Sequence, residues 1–159
     1  MASESSCDLV GAIWDGIATE NSPYRWAAIV FGATVLLTFV TSTLTKNYSQ
    51  VDKLWSIIPV VYAWMPVCDS RTLVMACLAS VWGIRLTYNF HRRGGYQWPP
   101  WQGDEDYRWG VIQRGGFLGI LKNPLMWTIF NLGFISFYQN VILLWIVAPS
   151  FVAYSVIQR

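Results

Sequence analysis

Residues Trp26 to Thr45 read WAAIVFGATVLLTFVTSTLT, 20 positions without a charge and rich in Val, Leu, Phe and Ala. A helix of that length, at ~1.5 Å of rise per residue, covers ~30 Å, the hydrocarbon thickness of a bilayer. The stretch is therefore expected to span a membrane. The rest of the composition agrees, because 54% of the 159 residues are apolar, only 13% are charged, and there are ten Trp, eight Tyr and eight Phe. A water-facing surface needs mixed charge over much of its area, and here the few charges are bunched between apolar runs. The fold class expected is all-α, a multi-pass helical membrane protein with about four transmembrane helices.

Three further segments extend the pattern. Leu54 to Cys68 is 15 residues long and contains Pro59 and Pro66, so a kinked span, a re-entrant piece and a buried helix all remain open. Thr72 to Ile84 is uncharged, and its helical pattern runs through Arg85 to Phe90. Asn123 to Gln158 has no charge; as one straight helix of ~36 residues it would be ~54 Å long, too much for a perpendicular pass. Pro149 is expected to break it, leaving Leu125 to Ala148 as the span. The expected organisation is an acidic tail over residues 1–25 and a transmembrane domain over 26–159. Its spans lie near 26–45, 54–68, 72–90 and 125–148, with a basic aromatic loop at 91–123.

If all four segments cross, one side collects Lys46, Lys53, Arg92, Arg93, Arg108, Arg114 and Lys122, and the other only Arg25, Arg71 and Arg159. The bias of Lys and Arg toward the cytoplasmic face then puts both termini outside. The tail carries Glu4, Asp8, Asp15 and Glu20 before its first basic residue, the reverse of a secretory or transit signal. Val10 to Ala18 reads as a short interfacial helix or as disordered chain.

Several chemistries are disfavoured. Cys7, Cys68 and Cys77 have no paired metal spacing and His91 is the only histidine, so no metal site is expected. Gly94-Gly95 and Gly115-Gly116 lack the spacing of a phosphate-binding glycine loop. A net charge of +2, with the basic groups at a membrane face, argues against nucleic acid as a partner.

The richest stretch is Trp82 to Trp109, WGIRLTYNFHRRGGYQWPPWQGDEDYRW. On a helix Arg85, Asn89 and Arg92 share one face at the end of the third span. After the glycine pair and the Trp/Pro cluster comes Asp104 to Asp106, and Asp104 or Glu105 is expected to cap a short interfacial helix reaching Arg114. One reading makes the arginines interfacial anchors and the tryptophans an aromatic belt, the commoner arrangement. The other makes Arg85, Asn89, Arg92, Arg93, Tyr96, Tyr107 and Arg108 a site for a lipid headgroup or a nucleotide phosphate. No catalytic residue is assigned on either reading.

NYSQVDKLWSIIPVVYAW (Asn47 to Trp64), WGIRLTYNFHRRGGY (Trp82 to Tyr96) and GDEDYRW (Gly103 to Trp109) together closely resemble the domain-of-unknown-function branch of the steroid 5-alpha-reductase-like membrane proteins. FYQN (Phe137 to Asn140) and WIVAP (Trp145 to Pro149) resemble the next helix of that family. The resemblance implies an NADPH-dependent reductase of a carbon–carbon double bond in a sterol or other lipid enone. It also implies further helices with an HPNY-type motif and most of the cofactor pocket, and the sequence reaches Arg159 without them.

The expectation that follows is a noncatalytic accessory subunit of a larger membrane complex, with no cofactor. Its partners would be the lipid bilayer, other membrane-protein subunits and a bound phospholipid. Asn131 and Gln139, eight apart within the last span, are consistent with partners on other chains, and equally with pairing inside this one. The alternative is a reductase using NADPH, with a separate chain supplying the second half. The resemblance places the protein in the endoplasmic reticulum, and a complex subunit could instead occupy a mitochondrial or plastid membrane. Asp52, Tyr62 and Tyr88 are pocket residues by resemblance, while Asp52 beside Lys53 also reads as a helix-start ion pair.

Overall fold

The computed structural model describes residue 11, residues 14–114 and residues 119–158, and is all-helical among them. Of the expected interfacial helix near the N-terminus, 11 and 14–18 are helical and the rest, like Cys7, lies outside the described residues.

Helix α1, Pro23–Thr45, starts three residues before the uncharged run because Ser22 caps it, accepting the Tyr24 N–H at 3.3 Å, and Pro23 fits the first turn. Its buried face is its polar one. Thr34, Thr38 and Ser42 recur every four residues and are at most 6% exposed, whereas Leu36, Leu37, Val40 and Leu44 point outward. Hydrocarbon solvates those leucines as well as a protein core would, so small hydroxyls that pack closely and hydrogen-bond turn inward.

The second segment is broken. Helix α2, Gln50–Leu54, and helix α3, Ile58–Trp64, are separated by a turn, and Pro59 sits in the first turn of α3. Seven residues give α3 ~10 Å, too short to span alone. Helix α4, Ser70–Arg92, is 23 residues long and begins in a capping box in which Asp69 and Thr72 bond each other's backbone. At ~34 Å it reaches from one face of a bilayer to the other. Its C-terminal end adjoins that of α1 through the loop contacts described below, so residues 54–69 run back along α4 from that end toward its start. Close packing of α4 against this segment depends on Gly83, where a Cβ would lie 2.7 Å from the Ser56 carbonyl oxygen.

Helix α5, Tyr107–Gln113, and a 3-10 turn, Gly119–Lys122, lead into the last span. That span is α6, Pro124–Phe130, a π-helical segment, Asn131–Tyr138, and α7, Gln139–Ile146, in unbroken succession. Helix α8, Ala148–Ile157, follows a break at Val147. The break comes just before Pro149, which lies in the first turn of α8, where its missing N–H costs no hydrogen bond.

Pro23–Thr45, Ser70–Arg92 and Pro124–Ile146 are the three described helices long and apolar enough to cross a membrane. This pattern is compatible with an integral, multi-pass membrane protein. α1 packs on the π segment and α7, α3 on α4 and α7, and α8 on α4.

Asn131 and Gln139 find their partners inside the chain. Asn131 Nδ2 donates to Ser42 Oγ at 3.0 Å and to Thr43 Oγ1 at 3.2 Å, and Gln139 Oε1 accepts the Trp55 indole N–H at 3.1 Å. Both side chains are thus paired within the chain.

Candidate functional site

The motif running from Asn47 to Lys53 acts as a clamp on the loop after α4. Asn47 Nδ2 donates to the Gly103 carbonyl at 3.0 Å, Gln50 Nε2 to that of Trp101 at 2.8 Å, and Lys53 Nζ to those of Pro100 and Gln102 at 3.0 and 2.7 Å. Glu105 accepts the Tyr48 N–H at 2.7 Å, and Ser49 Oγ accepts that of Asp106 at 2.9 Å. The loop's turn requires Gly103, whose φ of +131° is open to glycine and strained for other residues.

This clamp corrects two expectations. The cap of α5 is Asp106, which accepts the Arg108 N–H at 2.9 Å, because the Glu105 carboxylate is drawn across to Tyr48. Lys53 bonds loop carbonyls, whereas Asp52 points to Trp109, whose indole N–H donates to Oδ2 at 3.4 Å. The two make no ion pair, since successive helical residues diverge by ~100°.

Beneath the clamp lies a cleft of two lobes, about 420 and 550 Å³, that share Asp52, Trp55 and Arg108. The first, the polar lobe, carries the charged side chains of Arg93, Asp104, Glu105 and Asp106 on walls that are otherwise mostly apolar. The second is mainly apolar and runs between Trp109, Ile112, Phe134, Tyr138 and Ile142. Burial pushes the Asp52 carboxyl above the usual carboxylate range, against the opposing hydrogen bonds from Ser49 and Trp109. Asp106 is shifted down, chiefly by its hydrogen bonds from Arg108, whose Nε lies 2.9 Å from each carboxylate oxygen.

Of the residues singled out in the sequence, Arg93 and Arg108 line the polar lobe. Tyr96 serves the scaffold, donating its hydroxyl to the Lys53 carbonyl at 2.6 Å and packing its ring on Phe90. Arg85, Asn89 and Arg92 follow one face of α4 outside both lobes, and Tyr107 is 80% exposed. Asp52 lies where the lobes meet, Tyr62 is buried in the bundle, and Tyr88 is on the outer groove between α3 and α4.

Trp55, Phe134, Tyr138 and Gln139 are cleft residues that pattern reading did not single out for a site. Two signals could have found them. Trp55 stands three positions after Asp52 in a helical run. Phe130, Phe134 and Tyr138 recur every four residues, and their rings stack at 5.1 and 5.4 Å. Among the described residues no group of His, Cys, Asp and Glu is placed to hold a metal.

A family profile described as "Protein of unknown function (DUF1295)" matches residues 38–158. An uncharacterised protein of the fission yeast Schizosaccharomyces pombe is 32% identical over 120 residues, which cover 70% of this chain and 32% of that protein. The chain thus spans about a third of the length of the curated relative it matches. No solved structure matches it.

Proposed function

This chain belongs to the DUF1295 family, and from that premise we propose that it is a membrane module of steroid-reductase-like architecture that binds a lipid or sterol and performs no catalysis alone. It acts as an accessory part of a larger assembly in the endoplasmic reticulum or another organellar membrane. The observation that carries this reading is the two-lobed cleft. A polar head would meet Asp52 and Arg108, and the hydrocarbon would follow Phe134, Tyr138 and Ile142. A mostly apolar cleft with a few placed charged groups is the usual form of a small-molecule site.

NADPH, the cofactor the resemblance implies, does not fit the polar lobe. Asp52, Asp104, Glu105 and Asp106 face only Arg93 and Arg108 there, and Arg108 is already bonded to Asp106. Phosphates favour an excess of unpaired guanidinium or ammonium groups.

The test is to purify the protein in mild detergent and identify retained lipid by native mass spectrometry, alongside NADPH titration. Lipid loss in Tyr138→Ala and no NADPH binding are expected. Micromolar NADPH affinity with reduction of a lipid enone by the chain alone would sink the reading.

A second reading, reduction of a lipid double bond by an assembly that supplies the cofactor half, is favoured by Asp52. A half-buried carboxyl of raised pKa where the lobes meet is suited to hydrogen-bond or protonate a substrate carbonyl. On that reading Asp52→Asn lowers the assembly's NADPH-dependent turnover at least about 100-fold. Unchanged turnover would remove Asp52 from the chemistry.

A further inference from the structure

Within the spanning segments lies a second polar cluster, away from the cleft. The Thr34 hydroxyl is turned back on its own helix, donating to Val30 and Phe31 carbonyls at 2.9 and 3.0 Å, and Thr38 does the same to Thr34 at 2.8 Å. Across from them, Asn140 Nδ2 donates to the Ser136 carbonyl at 2.7 Å and to Thr38 Oγ1 at 3.4 Å. These bonds use the amide donors of Asn140 and leave its acceptor free.

Three polar atoms in this region have no hydrogen-bond partner among the described residues: Asn140 Oδ1, Ser136 Oγ and Tyr62 Oη. All three side chains are 0% exposed. Tyr62 Oη faces the Thr34 hydroxyl, and the packing of α3 on α7 brings it beside the helix that carries Asn140. Ser136 and Asn140 are one turn apart, and Ser136 belongs to the π segment.

Buried groups of this kind are rarely left unpaired, and in hydrocarbon no bulk water can serve them. Their chemistry is complementary to a single small ligand that both donates and accepts. A phenolic O–H needs an acceptor, an amide oxygen needs a donor, and a serine hydroxyl can act as either. We propose that an ordered water occupies this cluster, accepting from Tyr62 Oη, donating to Asn140 Oδ1 and taking Ser136 Oγ as its third partner. Three hydrogen bonds are the usual complement of a buried water. The water joins α3 to the last span where, among the described residues, no direct side-chain bond does. It is independent of any lipid in the cleft.

The experiment is water-edited solid-state NMR on the full chain in phosphatidylcholine bilayers, whose lipid carries no hydroxyl that could stand in for water. Magnetisation from water is expected to reach Tyr62 Cζ and Asn140 Cγ several-fold faster than Ile135 and Leu143, neighbours that are at most 1% exposed. Build-up no faster than at those two residues would overturn the proposal. Asn140→Leu is expected to slow transfer to Tyr62 several-fold, and Tyr62→Phe to slow transfer to Asn140 by a similar factor. Should one variant not fold, the other carries the test. A folded variant with unchanged transfer at the remaining partner would exclude a shared water.

Discussion

Lys53 Nζ donates to the Gln102 carbonyl at 2.7 Å from a side chain that is only 6% exposed. Its other partners are the Pro100 carbonyl and Gln50 Oε1, so a buried ammonium is held by neutral oxygens alone. Burial pushes its pKa below the ordinary lysine value. The stem of α2 and the Trp/Pro loop are thereby one unit.

Replacing that ammonium tests the clamp. Lys53→Met keeps the length and leaves two loop carbonyls without a donor, so a loss of about 1–3 kcal/mol is expected. Chemical denaturation in mild detergent measures it, and a variant as stable as the parent would mean that the loop holds without Lys53.

Asp52 gives a pH signature. Its folded pKa is raised, so the folded chain binds the proton more tightly than the unfolded one. Its contribution is fully present below the unfolded value of ~3.9 and is lost as pH rises through the folded pKa. Asp52→Asn is therefore expected to gain stability relative to the parent between acid and neutral pH. Denaturation series at several pH values check the sign, and a relative loss over that interval would contradict the burial argument.

The acidic run separates into different roles. Asp106→Ala removes the cap of α5 and is expected to cost about 0.5–2 kcal/mol, whereas the exposed Asp104→Ala should stay within about 0.5 kcal/mol of the parent. Equal losses from the two variants would show that the cap is not the stabilising element.

In the membrane, Asn131→Leu deletes the bonds to Ser42 and Thr43. A loss of about 0.6–1.7 kcal/mol is expected, with no change in oligomeric state, because both partners belong to the same chain. Dissociation of an oligomer on substitution, seen by size-exclusion chromatography, would assign Asn131 to an interface between chains.

Gly83→Val pushes a side chain into the Ser56 carbonyl and Val60, and the segment at residues 54–69 must move away from α4. Overpacking of this kind costs about 1–3 kcal/mol. Chemical denaturation of the variant in mild detergent measures the loss, and a fully stable Gly83→Val variant would deny the close approach.

Much of this architecture is legible along the chain. The α1 span, the long helix carrying Arg85, Asn89 and Arg92, and the break before the final helix follow from run length, charge placement and proline. These signals are local, since rise per residue and the cost of charge in hydrocarbon do not depend on which helices are neighbours. The short helices α2 and α3 were less legible, because two prolines in 15 residues allow several solutions and packing on α4 and α7 selects among them.

The site was less legible still. Spacing groups Arg85, Asn89, Arg92, Arg93, Tyr96, Tyr107 and Arg108, yet only Arg93 and Arg108 of that set line the cleft, beside Asp52, Trp55 and Tyr138 from distant positions. Asp104, Glu105 and Asp106 offer similar chemistry in sequence, and the contact of Glu105 with Tyr48 leaves the cap to Asp106.

The sequence by itself determined a helical membrane chain, the extent of its long spans and its membership of a family, because these depend on residue type and order. Only the tertiary structure decided that the polar residues of the spans face one another, that Lys53 closes the loop over the bundle's end, and that two lobes meet at Asp52. The physical reason is the same in each case. Hydrocarbon gives a buried polar group no solvent alternative, so its partner is whatever group the packing brings within reach, often tens of residues away along the chain.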